Sequence, residues 1–164
     1  MSSHSSLLLD IGGTNMRYAY ANRKNMTDEK ILSNISDENI TSTLNDLLSN
    51  PQIKNTVIAA AGPRLGNKIK MTNRKVTIDG NFLGRKFKLS NSQVLNDWEA
   101  VGYAVDEMAL KQIKRGKSES NVDLMIGPGT GLGFAIVSDG KVIPTEIGNT
   151  KLHSKLLLKN LGIK

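Results

Sequence analysis

The apolar run Leu7-Leu8-Leu9 breaks at Asp10, resumes at Ile11, crosses Gly12-Gly13-Thr14-Asn15 and re-enters a half-apolar segment, Met16-Arg17-Tyr18-Ala19-Tyr20. The pattern predicts a strand, a tight turn made of backbone, and a second strand. Residues 22–30 are polar and read as a turn, with Ile31-Leu32 as a short strand after it. Ile40, Leu44, Leu47 and Leu48 recur at helical spacing behind Ser36 and Asp37, either of which can cap the helix, and Pro51 ends it. Thr56-Val57-Ile58-Ala59-Ala60-Ala61 is short and apolar without alternation, which predicts a buried strand broken by Gly62-Pro63.

The second half of the pattern is less regular. Lys68-Ile69-Lys70-Met71-Thr72-Asn73 alternates like an exposed hairpin strand, and Val76-Thr77-Ile78 follows. Asp79 can cap a short helix through Phe82, Leu83 and Phe87. Gln93-Val94-Leu95 is a strand running into Asn96-Asp97, where an amphipathic helix carrying Trp98, Val101, Val105 and Met108 begins. Residues 111–121, polar, basic and glycine-containing, read as a linker or lobe boundary. Val122-Asp123-Leu124-Met125-Ile126 is the next strand, leading into Gly127-Pro128-Gly129-Thr130-Gly131-Leu132-Gly133. Residues 134–137 and Val142-Ile143 form a hairpin turned at Asp139-Gly140. Residues 152–164 have the apolar content of a helix without a stop signal. No internal repeat is visible.

Composition narrows the class. A chain of 164 residues with 38% hydrophobic and 23% charged positions is a soluble globular protein with one core, or one small lobe and part of another. Cysteine is absent, which removes disulfides and cysteine-based zinc sites, and His4 and His153 lack metal-ligand spacing. The first apolar run has no basic stretch before it and stops at Asp10, so it predicts neither a signal peptide nor a membrane span, and a cytoplasmic location is the default. A net charge of +7 invites a nucleic-acid partner, but the lysines are scattered and only 4% of residues are aromatic. There is no stacking platform, and neither nucleic acid nor membrane is expected as a partner.

Three candidate features fall at the C-terminal ends of predicted strands, where ligand sites of α/β proteins gather. The first is Asp10-Ile11-Gly12-Gly13-Thr14. Its glycines can take φ > 0 and let a ligand approach, its N–H groups and the Thr14 hydroxyl suit phosphate oxygens, and Asp10 suits magnesium, directly or through water. An ordinary hairpin is the plainer alternative. The second is Asn96-Asp97, where Asp97 is either a general base for a hydroxyl or a helix N-cap. The third is the run from Gly127 to Gly133, whose alternating glycines leave backbone bare for phosphate or sugar, or simply make a loose loop. Gly116-Lys117-Ser118 is not a Walker loop, because Lys111 stands where its first glycine is needed. Nor is the Gly127–Gly133 run a dinucleotide fingerprint, since Leu132 occupies its third glycine position. Glu146 can accept hydrogen bonds from a polyol, and Asn149 can donate and accept.

With Asp10-Ile-Gly-Gly-Thr-Asn15, Ala60-Ala-Gly-Pro63, Met71-Thr-Asn73, Asn96-Asp97-Trp98 and Gly127-Pro-Gly-Thr-Gly-Leu-Gly133 in this order, the chain resembles the bacterial glucokinases of the actin/hexokinase/Hsp70 ATPase superfamily. It is similar to their cysteine-free branch rather than to the zinc-containing repressor/open-reading-frame/kinase branch. The resemblance implies an α/β, RNase H-like (actin/hexokinase-type) fold. Residues 1–110 would form a small lobe with a mixed sheet and flanking helices, and residues 111–164 the incomplete beginning of a larger lobe. It implies ATP-dependent phosphorylation of the glucose 6-hydroxyl and allows a homodimer for the full-length form. Asp10 would serve magnesium; Gly12, Gly13, Thr14 and Asn15 would form a first phosphate loop, and Gly129 and Thr130 a second. Asn96, Asp97, Gly131 and Glu146 would bind the hexose, with Asp97 as base. The family's Glu-x-Gly-His reads Glu146-Ile147-Gly148-Asn149 here, which loses a histidine sugar contact and opens the identity of the sugar. Family members are about twice as long, so the adenosine pocket, another sugar-contacting acid and a closing helix would lie beyond Lys164. This chain alone is then expected to turn over negligibly. The alternatives are a non-catalytic relative acting as a sugar-binding sensor or interaction module, and a superfamily member with a different acceptor.

Overall fold

The computed structural model describes residues 5–23, 25–113, 121–128 and 132–145. These form two compact units, Met1–Asp97 and Trp98–Lys164, each described by itself. The first opens with β1 (Ser6–Ile11), β2 (Met16–Ala21) and β3 (Lys30–Leu32), an antiparallel meander. Helix α1 (Asp37–Leu48) leads to β4 (Asn55–Ala60), and β5 (Arg64–Leu65), β6 (Lys68–Lys70) and β7 (Thr77–Asp79) form a small sheet of their own. Helix α2 (Gly80–Phe87) and β8 (Asn91–Asn96) complete the unit. Its main sheet has the order β3-β2-β1-β4-β8, with β4 parallel to both β1 and β8. The sheet is therefore mixed, and the helices that cross between its parallel strands flank it.

Local chemistry accounts for these elements. In β1, Leu7, Leu9 and Ile11 point into the core while Leu8 and Asp10 alternate outward. Ser36 caps α1 by accepting from the Asn39 N–H, and Ile40, Leu44 and Leu48 form its buried stripe. Asp79 caps α2 through the Phe82 N–H, 2.9 Å away. One core joins β1, β4 and β8 to α1, and includes Ile69, Ile78 and Leu83 from the small sheet and α2. The alternation missing from the sequence of β4 appears in its burial: Thr56, Ile58 and Ala60 are buried, and their neighbours are partly exposed. Small and β-branched residues on both faces hid the period. Thr56 is satisfied by donating to the Leu7 carbonyl at 3.0 Å. The alternating segment at residues 68–73 is strand only over Lys68–Lys70, because Met71 turns inward to bond the Val76 carbonyl.

Among the described residues β8 is an edge strand, and a side chain covers that edge in place of another strand. Asn67 accepts from the Val94 N–H at 2.8 Å and donates to the Ser92 carbonyl at 2.8 Å and to Asn81 at 3.0 Å. Removing this amide leaves β8 groups unpaired beside the core. Asn67→Ala is expected to lower the unfolding free energy by about 1–3 kcal/mol, read from the midpoint of urea denaturation.

The second unit contains α3 (Asp97–Ala104) from Trp98 onward, a 3₁₀ turn at Val105–Glu107, and a meander of β9 (Val122–Pro128), β10 (Leu132–Ser138) and β11 (Lys141–Thr145) in the order β11-β10-β9. The hairpin between β10 and β11 turns at Asp139 and Gly140, both at positive φ, as the sequence predicts. Helix α3 (Asp97–Ala104) is shorter than the predicted amphipathic helix. Its packing explains this: a Cβ on Gly102 would lie 2.5 Å from Val142, whereas Met108 is 48% exposed and gains nothing from continuing the helix. Both units thus contain a three-stranded antiparallel meander. The sequence shows no such repeat, because a shared backbone path needs only compatible patterning. No helix among the described residues is long and apolar enough to cross a membrane.

Candidate functional site

The turn between β1 and β2 is closed by one hydrogen bond, from the Gly12 N–H to the Asn15 carbonyl at 2.9 Å. Neither Gly12 nor Gly13 adopts positive φ, contrary to the freedom anticipated for them, since a four-residue loop closes here without it. The Gly12 N–H is also committed inside the turn. The amides of Gly13, Thr14 and Asn15 donate to nothing among the described residues. A Cβ added at Gly13 would meet nothing within 4 Å. Neither φ nor packing therefore demands glycine there. A side chain there would extend into open space.

The carbonyls of this turn are drawn the other way. Thr14 accepts from the Ile35 N–H at 3.2 Å, and Gly13 accepts from Nη2 of Arg74 at 2.7 Å. Arg74, from the connection between β6 and β7, also donates through Nη1 to Asp37 at 3.0 Å, and Asp37 accepts the Lys75 N–H at 2.9 Å. The Lys75 amide, then the Arg74 side chain, hold the Asp37 carboxyl below the usual aspartate range. A carboxylate favoured in this way stabilises the fold fully above its unfolded pKa of about 3.9 and loses that contribution as pH falls through the lower native value. Asp37→Asn is expected to destabilise the protein at pH 7, with the gap to wild type narrowing as pH is lowered below about 4; denaturation midpoints across pH 3–7 test this.

Asp10 lies on the opposite face of β1 from the core, paired in register with Arg17, and the two side chains form an ion pair at 3.1 Å. Both are 46% exposed, so the pair adds little stability and leaves Asp10 accessible.

Register places the second feature. Ile11 pairs with Ala60 and Ala60 with Asn96, so the ends of β1, β4 and β8 lie in one row across the sheet. Gly12 and Asp97 therefore leave the same edge of the sheet two strand spacings apart, about 10 Å. Asn96 is buried and donates its amide to the Gly62 carbonyl at 3.0 Å. Gly62 stands at φ +152°, where a Cβ would come within 2.5 Å of the Lys70 carbonyl oxygen. The Ala-Ala-Gly-Pro motif thus supplies a backbone brace for the residue preceding Asp97. Asp97 itself opens α3.

The third feature divides. Gly127 and Gly133 face each other across β9 and β10, and the indole of Trp98 occupies the space that a Cβ on either would need. These two glycines make room for tryptophan rather than for phosphate or sugar. Gly129, Thr130, Gly131, Glu146 and Asn149 lie outside the described residues. Arg74, Asp37, Gly62 and Trp98 were not singled out as site residues in the sequence. The glycine before Pro63 and the tryptophan after Asp97 stand there as parts of motifs, and Asp37 as a candidate helix cap, a role that Ser36 fills.

Comparison with known proteins gives this geometry a family. The family model described as Glucokinase matches residues 7–155. The chain belongs to the glucokinase family. A glucokinase of Mesorhizobium japonicum is 35% identical over 139 residues, covering 79% of this chain and 40% of its own length. The crystal structure of a glucokinase from an Antarctic psychrotroph superposes with TM-score 0.63 at 27% identity, over 93% of this chain and 55% of that one. A ROK-family glucokinase from Streptomyces griseus, in complex with glucose and AMPPNP, shares the fold at TM-score 0.63 and 18% identity, over 87% of this chain and 47% of that one. The α/β fold with its mixed sheet and flanking helices is thus that of the glucokinase structures. The chain spans about half the length of the curated glucokinase relatives it matches. As a member of the glucokinase family it carries the first glycine turn and the Asn-Asp pair on one sheet edge within its first 97 residues.

Proposed function

We propose that this chain is the N-terminal part of an ATP-dependent glucokinase that phosphorylates the 6-hydroxyl of glucose. The observation that carries the reading is the common sheet edge: a turn with three amides that donate to nothing among the described residues and the residue Asp97 leave the sheet in one row, about 10 Å apart. In this reading Gly13, Thr14 and Asn15 hold phosphate oxygens with Gly12 closing the turn, and Asp97 accepts the proton of the attacking hydroxyl. Asn96 braces Asp97 and contributes to the hexose site, with Gly131, Glu146 and Asn149 as its further residues. Gly129 and Thr130 form the second phosphate loop. The small lobe is residues 1–110, and 111–164 begin the larger one.

Asp10 fits magnesium. The ion keeps several waters and takes phosphate oxygens, so a single accessible carboxylate suffices. Its chemistry would be to neutralise charge on the phosphates. The glucose and AMPPNP bound by the Streptomyces griseus enzyme support the choice of sugar and nucleotide.

Assay of the natural full-length protein with magnesium-ATP and a panel of hexoses, amino sugars and carboxylic acids tests the reading. Hexose 6-phosphate from glucose is expected, with negligible product from the isolated 164-residue chain. Phosphorylation of another acceptor only, or of none, would reject it.

A further inference from the structure

We propose that Arg74 is a positioning residue for phosphate binding, one that sets the direction of the Thr14 N–H by holding the Gly13 carbonyl. The proposal rests on reading the β1–β2 turn as a phosphate cradle. A trans peptide is planar, with its C=O and N–H pointing opposite ways. The described peptides contain no cis bonds. The Gly13 carbonyl and the Thr14 N–H belong to one such plane. When Nη2 of Arg74 takes the carbonyl at 2.7 Å, the Thr14 N–H is aimed away from Arg74. The Ile35 N–H acts likewise on the Thr14 carbonyl, and so directs the Asn15 N–H. Two carbonyls that would repel an anion are thus turned back into the protein. The donors of the same peptides are presented outward.

Arg74 is suited to this because its own position is over-determined. Its side chain is only 11% exposed, and Asp37 holds the second arm of the guanidinium while accepting the neighbouring Lys75 amide. Nε of Arg74 is buried without a partner among the described residues. Compensation for desolvating the guanidinium therefore rests on the Asp37 carboxylate and the Gly13 carbonyl. Neither bond can be released cheaply. The fork geometry also matters, since a lysine at this position offers one ammonium and no planar pair of arms to span both partners.

The test compares wild type with Arg74→Ala, Arg74→Lys and Arg74→Gln. In the ligand-free 164-residue chain, the residual dipolar coupling of the Thr14 amide reports its orientation directly. A changed coupling is expected in Arg74→Ala, with Arg74→Lys closer to Arg74→Ala than to wild type. In the full-length protein, KM for magnesium-ATP is expected to rise roughly tenfold or more, as for loss of one charge-assisted bond, while KM for the hexose stays within about twofold.

A folded Arg74→Ala with an unchanged Thr14 amide overturns the proposal whatever its activity. So does a variant whose unfolding midpoint falls while its nucleotide KM holds. If Arg74→Ala does not fold, Arg74→Gln is judged by the same two criteria. A wild type without kinase activity would reject the functional reading, and the amide measurement would still decide whether Arg74 orients the turn.

Discussion

Asp97→Asn is expected to lower kcat for hexose phosphorylation by about 10²–10⁴-fold in the full-length protein, with KM for the hexose changed only a few-fold. Asparagine keeps the size and most of the hydrogen-bonding reach of aspartate but cannot accept a proton. The substitution therefore separates a base from a residue that merely holds sugar or starts a helix. Asp97 begins α3 directly after the buried Asn96, whose side chain is held by the Gly62 carbonyl. A lost rate out of proportion to any shift of the unfolding midpoint is the expected signature of a base. If kcat is kept and only stability drops, Asp97 is a helix-starting residue and the proton goes elsewhere. Steady-state rates from a coupled assay, alongside denaturation of both proteins, distinguish the two.

Gly62→Val is expected to destabilise the protein by about 2–4 kcal/mol. Gly62 stands at φ +152°, and its Cβ position is 2.5 Å from the Lys70 carbonyl oxygen and 3.1 Å from the Met71 Cα. Both are backbone atoms, which cannot rotate aside. The Thr72 N–H donates to the Ala61 carbonyl at 3.1 Å, so the two segments are stitched together where the new side chain would push them apart. The strain also reaches the site, because the Gly62 carbonyl accepts from Asn96. A lower denaturation midpoint at unchanged m-value, with a larger effect for valine than for alanine, is the expected signature. A midpoint within about 0.5 kcal/mol of wild type would show that the loop relaxes freely.

What could be read from the sequence was local. The strand–turn–strand at residues 7–20, the capped helix behind Ser36, the Asp79 cap and the Asp139-Gly140 hairpin all rest on side chains within a few residues of each other. Propensity and period report such interactions directly. The tertiary braces leave no comparable trace. Arg74 reaches Gly13 across 61 positions, and Asn67 reaches Val94 across 27. Each is a lone polar residue in a polar stretch, indistinguishable in the chain from a solvated one. The glycines show the same limit in another form. Gly13 is bare toward solvent, whereas Gly127 and Gly133 are bare toward an indole; only the fold tells these apart. The helix at Asp97 is shorter than its period suggests for a related reason: Val105 and Met108 keep the period, but among the described residues Met108 stays exposed and Val105 is only partly covered.

The seating of Trp98 has a practical consequence. It is the sole tryptophan of the 164 residues, so the intrinsic fluorescence of this chain comes essentially from one indole held against Gly127 and Gly133. The emission is a built-in optical gauge of the β9–β10 hairpin. Its wavelength and quenching by small solutes follow the docking of that hairpin on α3 without any label, and magnesium-ATP and sugar can be added one at a time to the same cuvette.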